Sequence, residues 1–401
     1  MRININQKEL LNSLEHTLGV VDKKATLPIL AHCLVEADGQ GLTISATDLE
    51  ISFRGTVPAV VAEPGSFTIL AHNLHTLVKS LPDGELEVEG DEEKVNLVSG
   101  EAKYKFLTLP PDQFPPIPTI EPEGMVEVPA EVLKNLIDTV IFSMGDDLQY
   151  HLQGALWEKV EAGDGISLRL VTTDGHRLSI AQHPMSALES VNFGERGLLV
   201  PAKALREIKR FVKHNAVDGL VLMGTRSKVD AQGELFEQEE EKDESDPPLH
   251  LCFRAGDREL SVRLLEYKFP EYRRIIPETA VLTFSLPRQE FVPALRRVAS
   301  LSTEKFRGVI LTLNGESCEL VYNNPEVGRG REVVKAILEQ GEPRNFPFRI
   351  GFNARYLLEP MSVMKGDWVV MEVADIEHAR PVKFLDSADH RPLWLVMPME
   401  I

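Results

Sequence analysis

One short stretch of the sequence has residue types that could do chemistry: Asp174-Gly175-His176-Arg177, between two apolar runs. A carboxylate beside an imidazole could orient a histidine base for hydrolysis, or supply two ligands to a metal ion. Either site needs further groups. The sequence has no second His placed to make a metal pair, no Gly-x-Ser-x-Gly turn and no glycine-rich phosphate loop. The lack of these signals weighs against an enzyme.

The corner around Asp174 is one of three similar corners. Thr47-Asp48 and Thr173-Asp174 each lie between two alternating apolar runs, and Asn323-Asn324 has the same place in a third segment. Thr, Asp and Asn side chains commonly cap turns through hydrogen bonds to nearby backbone groups. We therefore expect a structural role for Asp174, and only residues 175–177 are peculiar to the second copy.

Two interpretations of His176 are open at this point. The simpler one is a partly buried histidine that hydrogen-bonds to the backbone. The other is a hydrolase in which Asp174 and His176 act together. The third corner argues against the hydrolase, because Asn323-Asn324 offers neither a carboxylate nor an imidazole for the same chemistry.

Helical and strand patterns repeat with the corners. In the helical segments, apolar residues recur at three- and four-residue spacing, which is typical of helices with one buried face. Between them, alternating runs at 85–97, 103–109, 249–265 and 368–373 are typical of half-buried antiparallel strands. Each repeat is therefore predicted to contain two helices and about eight strands. The helical segments are 6–21, 70–82, 129–144, 200–215, 287–302 and 352–364.

The repeat indicates how the 401 residues divide into domains. A chain of this length exceeds one usual hydrophobic core, so several domains are expected. Proline-rich stretches at 109–124 and 268–280 suit joints, because they cannot sustain a helix or a strand ladder. We predict an α+β protein of three repeated domains, each with two helices on antiparallel sheets. The predicted bounds are 1–122, 123–277 and 278–401.

Negative charge is concentrated in one segment. The net charge is -19, which taken alone argues against a polyanionic partner. Residues 234–246 alone carry eight acids and one Lys. We interpret the surrounding residues 226–248 as a solvated, poorly ordered loop inserted in the second domain, because such a stretch is too charged to bury.

Composition bounds the class of protein further. An apolar content of 43% with 26% charged residues is that of an ordinary folded, soluble protein. Cys33, Cys252 and Cys318 are far apart in the sequence, so neither a disulfide framework nor a zinc site is expected. We expect all three to be buried small apolar residues. With no leader pattern and no apolar run long enough to span a bilayer, a reducing cytoplasmic location is expected.

Six motifs, in order along the chain, resemble those of the bacterial DNA polymerase III beta subunit family, the replicative sliding clamps. The resemblance covers essentially the full length apart from the insert. It implies a head-to-tail homodimeric ring, with sheets outside and helices lining a hole for duplex DNA, and no catalysis or cofactor of its own. The motifs are TLPIL at 26–30, ATDLE at 46–50, TTDGHRL at 172–178, FPEYRRIIP at 269–277, EKFRGV at 304–309 and VMPM at 396–399.

The resemblance also implies partners. They are double-stranded DNA bound without sequence preference, the catalytic subunit of the replicative polymerase, the clamp-loader ATPase and other proteins with a clamp-binding motif. A ring holds a polymerase on DNA by topology, so each DNA contact can be weak. Besides the hydrolase, one further alternative is a repeat-built regulator that binds peptides only.

Positive charge concentrates on two predicted helices of this acidic chain. Segment 200–215 has five Lys or Arg and one Glu, and segment 287–307 has five and two. On charge alone these could be solvated helix faces, whereas the resemblance places them on a DNA-facing surface. Lys and Arg contacts to phosphate would give sequence-independent, salt-sensitive binding. The predicted DNA-binding residues are Lys24, Lys79, Gln149, Tyr150, His151, Lys203 and Arg210.

The resemblance places a DNA-contacting loop at Gln149-Tyr150-His151. Members of the family often have an Arg and a second aromatic residue in this loop, where this chain has Gln149 and His151. Tyr150 keeps a ring that could stack on a nucleotide. A buried structural tyrosine is the alternative.

The second corner is placed by the resemblance at the edge of a cleft that takes short linear motifs from client proteins. Leu, Ile and Met side chains would form an adaptable apolar slot, while His176, Arg177 and Arg274 would hydrogen-bond the polar end of a peptide. The chain ends in Glu400-Ile401, where the family often has a basic penultimate residue. The predicted partner-binding residues are Leu152, Thr173, Gly175, His176, Arg177, Leu178, Pro270, Arg274, Ile275, Tyr356, Val396, Met397, Pro398 and Met399.

Deleting residues 234–246 should leave the free energy of unfolding within about 0.5 kcal/mol of the parent value, because a charged, solvated loop buries little surface. Urea unfolding followed by circular dichroism measures this difference. A matched variant that keeps the length but carries Gln and Asn in place of the acids separates charge from length. A loss of several kcal/mol on deletion would show that the segment is packed.

Overall fold

The structure is a computed structural model that describes residues 1–22, 24–39, 41–117, 124–145, 152–162, 165–227, 248–301, 303, 307–342 and 346–400. The predicted DNA loop, Gln149-Tyr150-His151, lies outside the described residues. So do residues 228–247 of the predicted acidic insert.

The six predicted helices are confirmed, each a little shorter than its sequence pattern. Every one begins directly after a strand, and the side chains of Asn6 and Asn353 cap two of them by accepting from the N–H groups of Lys8 and Arg355 (both 3.0 Å). No described helix is both long and apolar enough to cross a membrane. The helices are α1 (Gln7–Val20), α2 (Ala71–Ser80), α3 (Ala130–Val140), α4 (Ala202–Asn215), α5 (Arg288–Ala299) and α6 (Ala354–Val363).

Short strands make up most of the remaining described chain, as the alternating patterns predicted. They are β1 (Arg2–Asn6), β2 (His32–Asp38), β3 (Gly41–Thr47), β4 (Ile51–Val57), β5 (Val60–Glu63), β6 (Gly65–Leu70), β7 (Glu85–Gly90), β8 (Lys94–Ser99), β9 (Ala102–Leu107), β10 (Val126–Pro129), β11 (Gly154–Ala162), β12 (Gly165–Thr173), β13 (Arg177–Pro184), β14 (Leu198–Pro201), β15 (Leu220–Ser227), β16 (Pro248–Ala255), β17 (Arg258–Arg263), β18 (Leu282–Pro287), β19 (Gly308–Leu313), β20 (Ser317–Asn324), β21 (Gly328–Lys335), β22 (Ile337–Gln340), β23 (Phe348–Asn353), β24 (Trp368–Val373), β25 (Val382–Asp386) and β26 (Leu393–Val396).

Two runs predicted as single strands are hairpins instead. Residues 85–97 fold into β7 and β8, and the turn between them is held by Asp91, whose Oδ1 accepts from the N–H groups of Glu93 and Lys94 (both 2.9 Å). Residues 249–265 fold into β16 and β17 around Gly256, at φ +56°. A tight turn barely interrupts the alternation of apolar residues, so periodicity alone could not place the reversal.

The first of two compact units comprises Met1–Lys134 and Ala187–Leu265. One of its sheets has the strand order β5-β1-β7-β8-β9, and the other has the order β10-β15-β16-β17-β4-β3-β2-β6. In the second sheet β17 pairs antiparallel with β4, with Leu260 opposite Phe53. Strands of the predicted first and second domains therefore share one hydrogen-bonded sheet.

The second unit comprises Asn135–Ser186 and Glu266–Ile401. One sheet contains the order β11-β12-β13-β26-β25-β24-β18-β22, and the other is β21-β20-β19-β23. The pairing of β13 with β26 places Leu178 opposite Leu395. Here too a sheet continues across a predicted joint, this time between the second and third domains.

The bounds of the two units differ from those of the three predicted domains, and strand pairing explains the difference. Strand ladders carry many contacts, and the ladders β17–β4 and β13–β26 each cross a predicted joint. Each unit therefore contains strands from more than one predicted domain. The bounds 1–122, 123–277 and 278–401 stay predictions, supported by the recurrence of two strand-preceded helices in each range.

Each predicted domain contains one cysteine, and Cys33, Cys252 and Cys318 are all buried, as predicted. Burial raises the pKa of the Cys33 and Cys318 thiols to about 12 and that of Cys252 to about 11. Such thiols stay protonated near neutral pH and pack as small apolar side chains.

Packing of α1 against α4 buries ionisable groups in the first unit. His16 is 6% exposed and stacks on Phe53, with ring centroids 5.2 Å apart. Burial, and then the nearby Arg258, lower the pKa of His16 to about 4. Glu207 on α4 is also buried, which raises its pKa, and its carboxylate lies where a side chain at Gly19 would sit. Glycine at position 19 thus lets the two helices approach closely.

The neutral His16 should make the protein lose stability in mild acid. Its pKa is near the usual 6.5 in the unfolded chain and about 4 in the folded one, so its stabilising contribution is complete above pH 6.5 and is lost as pH falls towards 4. From pH 7 to 5, the unfolding free energy of the parent should fall about 1–2 kcal/mol more than that of a His16→Phe variant. Urea unfolding at both pH values measures the difference.

A His390→Gln variant is the matched control, since His390 is exposed. It should show the same acid loss as the parent. Equal losses for the parent and His16→Phe would mean that His16 is not the group whose protonation favours unfolding.

Candidate functional site

The turn at Asp174 is held by its own side chains. Thr173 Oγ1 donates to the carbonyl of Arg177 (2.7 Å) and accepts from the N–H of Gly175 (3.1 Å). Asp174 Oδ1 accepts from the N–H groups of His176 and Arg177 (both 3.0 Å). Gly175 has φ +84°, a left-handed conformation that favours glycine. The predicted structural role of Asp174 is therefore confirmed.

The first corner has the same hydrogen bonds. Thr47 Oγ1 donates to the carbonyl of Ile51 and accepts from the N–H of Leu49 (both 3.0 Å). Asp48 Oδ1 accepts from the N–H groups of Glu50 (3.0 Å) and Ile51 (2.7 Å). The equivalence predicted from sequence thus extends to individual atoms.

In the third corner an amide takes the place of the carboxylate. Asn324 is 1% exposed, and its Oδ1 accepts from the N–H of Glu326 (2.9 Å). Its Nδ2 donates to the carbonyl of Leu301 (3.3 Å). The third copy therefore also uses this position to hold a turn.

Asp174 and His176 are not arranged as a catalytic pair. Asp174 Oδ2 accepts from Nε of Arg177 (2.9 Å), while Oδ1 is taken by two backbone groups. His176 is exposed, and its ring stacks on Tyr356 with centroids 6.4 Å apart. The interpretation of His176 as a partly buried histidine was wrong, because the turn carries it to the surface. The hydrolase also lacks the oriented imidazole that it requires.

Arg177 connects the second corner to α6. It is 6% exposed, and its guanidinium donates to Asp174, to Glu359 on α6 and to the carbonyl of Phe142. The same group lies 4.4 Å from the ring centroid of Tyr356. Because its donors are committed within the chain, Arg177 is better suited to positioning the cleft wall than to hydrogen-bonding a peptide.

The C-terminal residues reach the same corner. Val396 on β26 pairs with Arg177 on β13, and the next residue, Met397, donates its N–H to the carbonyl of His176 (2.8 Å). Two residues later, Met399 donates its N–H to the carbonyl of Gly351 (2.8 Å) and remains 43% exposed. The motif at 396–399 is thus brought beside the second corner, as the resemblance implied.

A buried tyrosine anchors the segment that contains Pro270, Arg274 and Ile275. Tyr272 is 5% exposed, and its hydroxyl donates to Glu158 on β11. Burial, followed by that hydrogen bond, raises the pKa of Tyr272. The short 3₁₀ turn Tyr272–Ile275 is therefore fixed to the sheet that includes β13, with Pro270, Arg274 and Ile275 all exposed.

The predicted cleft residues fall into three groups by exposure. Val396 and four others are buried and support the cleft from beneath its surface, whereas Tyr356, Met397 and Pro398 are half-buried. The remaining residues are exposed and available to a ligand. The buried set is Leu152, Thr173, Arg177, Leu178 and Val396, and the exposed set is Gly175, His176, Pro270, Arg274, Ile275 and Met399.

Sequence reasoning missed two residues that hold this site together, Glu359 and Phe142, both of which accept hydrogen bonds from Arg177. A signal for Glu359 was present, because it lies three residues after Tyr356 on the same helical face. The carbonyl of Phe142 gave none, since backbone acceptors carry no residue-specific pattern.

Two of the basic residues on α4, Lys203 and Arg210, form ion pairs with carboxylates of the same chain. Lys203 forms an ion pair with Asp48 and donates to the carbonyl of Val20 (2.9 Å), which tethers the first corner and the end of α1. The ion pair neutralises part of its charge, the side chain remains 41% exposed, and its role as a DNA contact stays a prediction. Arg210 lies 3.3 Å from Glu207 and stays 42% exposed, so part of its guanidinium faces solvent.

Among the other basic residues in the predicted DNA-facing segments, some are exposed and others are hydrogen-bonded within the chain. Lys24 and Lys79 are exposed, on the turn after α1 and in the last turn of α2. On α5, Arg297 makes two hydrogen bonds to Glu332 (2.7 and 3.0 Å), and Arg288 donates to the carbonyl of Gly366 (2.6 Å). Counting charges along the sequence therefore overstates the positive charge that a ligand can reach.

The chemistry available at the cleft is that of recognition. Within the part of the chain that the structure describes, no three His, Cys, Asp or Glu side chains are grouped to hold a metal ion. Burial, and then the charge of Asp174, raise the pKa of Tyr356, so its hydroxyl stays a donor near neutral pH. An apolar floor edged by hydrogen-bond donors suits a short peptide.

Three family models match consecutive parts of the chain. They describe the N-terminal domain of the DNA polymerase III beta subunit over residues 1–118, its central domain over 127–271 and its C-terminal domain over 273–400.

Relatives and solved structures are similar over the full length. The beta sliding clamps of Caulobacter vibrioides and Escherichia coli K12 are 31% and 28% identical, with all of each chain covered. A Caulobacter crescentus clamp structure has a TM-score of 0.86 at 30% identity, covering 100% of this chain and 99% of that one. A Bartonella birtlesii clamp bound to griselimycin has a TM-score of 0.86 at 27% identity, with both chains fully covered. This chain belongs to the bacterial DNA polymerase III beta subunit family, the beta sliding clamps.

Proposed function

We propose that the chain forms a ring around duplex DNA and holds a replicative polymerase and other client proteins there. The observation that carries this proposal is the match of all three family domains, in order, along the whole chain. The chain acts as a non-catalytic processivity subunit: binding and topology do the work, and no bond is made or broken.

Encirclement explains why an acidic protein can work on DNA. A ring cannot dissociate sideways, so a few exposed cations such as Arg210, Lys24 and Lys79 suffice to centre the duplex. Their contacts to phosphate are weak, sequence-blind and screened by salt, which permits sliding. The same proposal includes contacts to DNA from the predicted loop Gln149-Tyr150-His151 and from Lys203. We expect the contact from Lys203 to be the weaker one, because Lys203 also forms an ion pair with Asp48.

The dimer contact that we propose uses two strands with a free edge. Among the described strands, β9 pairs only with β8 and β21 only with β20. Each leaves a row of backbone donors and acceptors open to another chain. Leu107 on β9 is 78% exposed and Val333 on β21 is 54% exposed. Head-to-tail addition of β9 from one chain to β21 of another would close a two-chain ring.

The cleft is the site that we propose for client peptides. Exposed Ile275 and Met399, with half-buried Met397, offer apolar surface that can refit to different side chains. The exposed side chains of His176 and Arg274 can hydrogen-bond the polar end of a peptide, while Arg177 holds the wall. Griselimycin bound to the Bartonella birtlesii clamp supports a ligand site on this fold.

The partners that we propose follow from this assignment. They are duplex DNA of any sequence, a second copy of the chain, the polymerase catalytic subunit, the clamp-loader ATPase and other proteins carrying a clamp-binding motif. We place the protein in the reducing cytoplasm, where three buried thiols would stay reduced.

Retention on circular DNA tests encirclement. After loading onto nicked circles by the clamp-loader ATPase, labelled protein should stay with the DNA through gel filtration in about 0.2 M NaCl, and should leave once the circles are cut, because a ring escapes only over an end. Blocking the cut ends with bound streptavidin should restore retention. A Leu107→Asp variant, altered at the proposed dimer edge, should be lost from both templates.

Equal loss of the parent protein from circular and cut DNA would contradict the ring. It is also the behaviour expected of an enzyme or of a regulator that binds peptides only, since neither depends on DNA topology.

Ending the chain after Val396 tests the cleft. The deletion removes the apolar surface of Met397 and Met399 but leaves β26, β9 and β21 in place. Affinity for a peptide that carries the clamp-binding motif of the polymerase catalytic subunit should fall at least tenfold, roughly the effect of losing a buried apolar anchor, while the dimer persists in analytical ultracentrifugation. Removing only Glu400 and Ile401 is the matched control and should leave the affinity unchanged. Unaltered peptide binding in the longer deletion would exclude these residues from the site.

A further inference from the structure

A groove of the second unit, outside the predicted cleft residues, has three arginines in its wall. It has a volume of about 630 Å³ and lies between the end of α5 and the start of α6. Arg296, Arg307 and Arg355 line it, together with Asn353 and the apolar Leu358. A cavity of this size falls within the usual range of ligand-binding clefts.

Two of these arginines have no ion-pair partner among the described residues. Arg296 and Arg307 are exposed, and among the residues that the structure describes neither has a carboxylate at ion-pair distance. The neighbouring Arg297 shows the contrast, since it is bound to Glu332. An anionic group that enters the groove would therefore meet two guanidinium groups that no carboxylate of the described residues neutralises.

The third arginine links the groove to the cleft. Arg355 donates to Glu359 (2.8 Å), and the same Glu359 accepts from Arg177 of the cleft wall. Tyr356, the residue after Arg355, stacks on His176. The carbonyl of Arg307 accepts from the N–H of Ala354 (3.1 Å), at the start of the same helix. Groove and cleft are thus neighbouring sections of one surface of the second unit.

We propose that this groove extends the client cleft and binds acidic residues that flank the apolar motif of a client. The inference rests on the proposed function and adds a charge preference to it. Planar guanidinium groups bind carboxylates through paired, charge-assisted hydrogen bonds. The apolar side chain of Leu358 can pack against the methylene groups of a Glu.

The shape of the groove favours a peptide over DNA. A DNA backbone is followed by cations spaced along a surface, whereas here three arginines converge on one cavity with an apolar section in its wall. The cavity also adjoins a surface that already has the character of a peptide site. An acidic peptide segment is therefore the occupant that we infer.

The test compares labelled peptides by fluorescence anisotropy. Each contains the same clamp-binding motif of the polymerase catalytic subunit and carries a four-residue tail of Asp and Glu, or of Asn and Gln, at either end. The acidic tail at one of the two ends should tighten binding about five- to tenfold in low salt, the effect of one or two charge-assisted contacts. The advantage should shrink as salt is raised.

The double variant Arg296→Glu, Arg307→Glu should lose the preference for the acidic tail while binding the neutral peptide as the parent does. A peptide with a Lys tail should now bind this variant more tightly than the neutral one. Arg349→Glu is the matched control, since Arg349 is exposed on β23 and does not line the groove. It should keep the preference of the parent.

The outcomes separate this inference from the proposed function. Binding of every peptide with no effect of the tail at either end would overturn the groove assignment and leave the cleft intact. A tail effect that survives in the double variant would also overturn it. Loss of DNA retention in the double variant with an unchanged tail preference would assign the groove to DNA instead. Failure of all peptides to bind the parent would count against the cleft itself.

Discussion

Strand pairing across the predicted domain joints is the constraint on which the rest of the structure depends. The pairing of β17 with β4, and of β13 with β26, continues a sheet from one repeat into the next. Because side chains alternate across a strand, a shift of one residue in either ladder would turn every side chain to the opposite face. The register that pairs Arg177 with Val396 therefore also places the C-terminal motif beside the second corner.

Because the three domains repeat one fold, their different functions depend on the positions at which the copies differ. In both Thr-Asp corners one carboxylate oxygen caps the turn, and the other binds a cation. That cation is Lys203 for Asp48 and Arg177 for Asp174. The first ion pair fastens α4 to the first corner, and the second supports the wall of the proposed cleft. A single structural device thus serves two purposes, which agrees with the general finding that function resides in sites added to a fold.

The sequence predicted correctly those elements whose hydrophobic pattern continues over many consecutive residues. The six helices of the described residues could be predicted, because each has an amphipathic face of several turns. The turns at Asp91 and Gly256 could not, since alternation continues across a tight turn. Partners distant in sequence were also beyond reach: Glu359 lies 182 positions from Arg177, and only the fold brings them together. Charge counts identified α4 and α5 as basic but could not separate paired from free cations.

The protein that we propose acts by enclosure, with weak contacts to DNA and a separate apolar cleft for its clients. Electron microscopy of the purified chain tests that central claim most directly. We expect particles with two-fold symmetry and a central opening wide enough for duplex DNA. Particles without an opening, whether single chains or compact dimers, would contradict it.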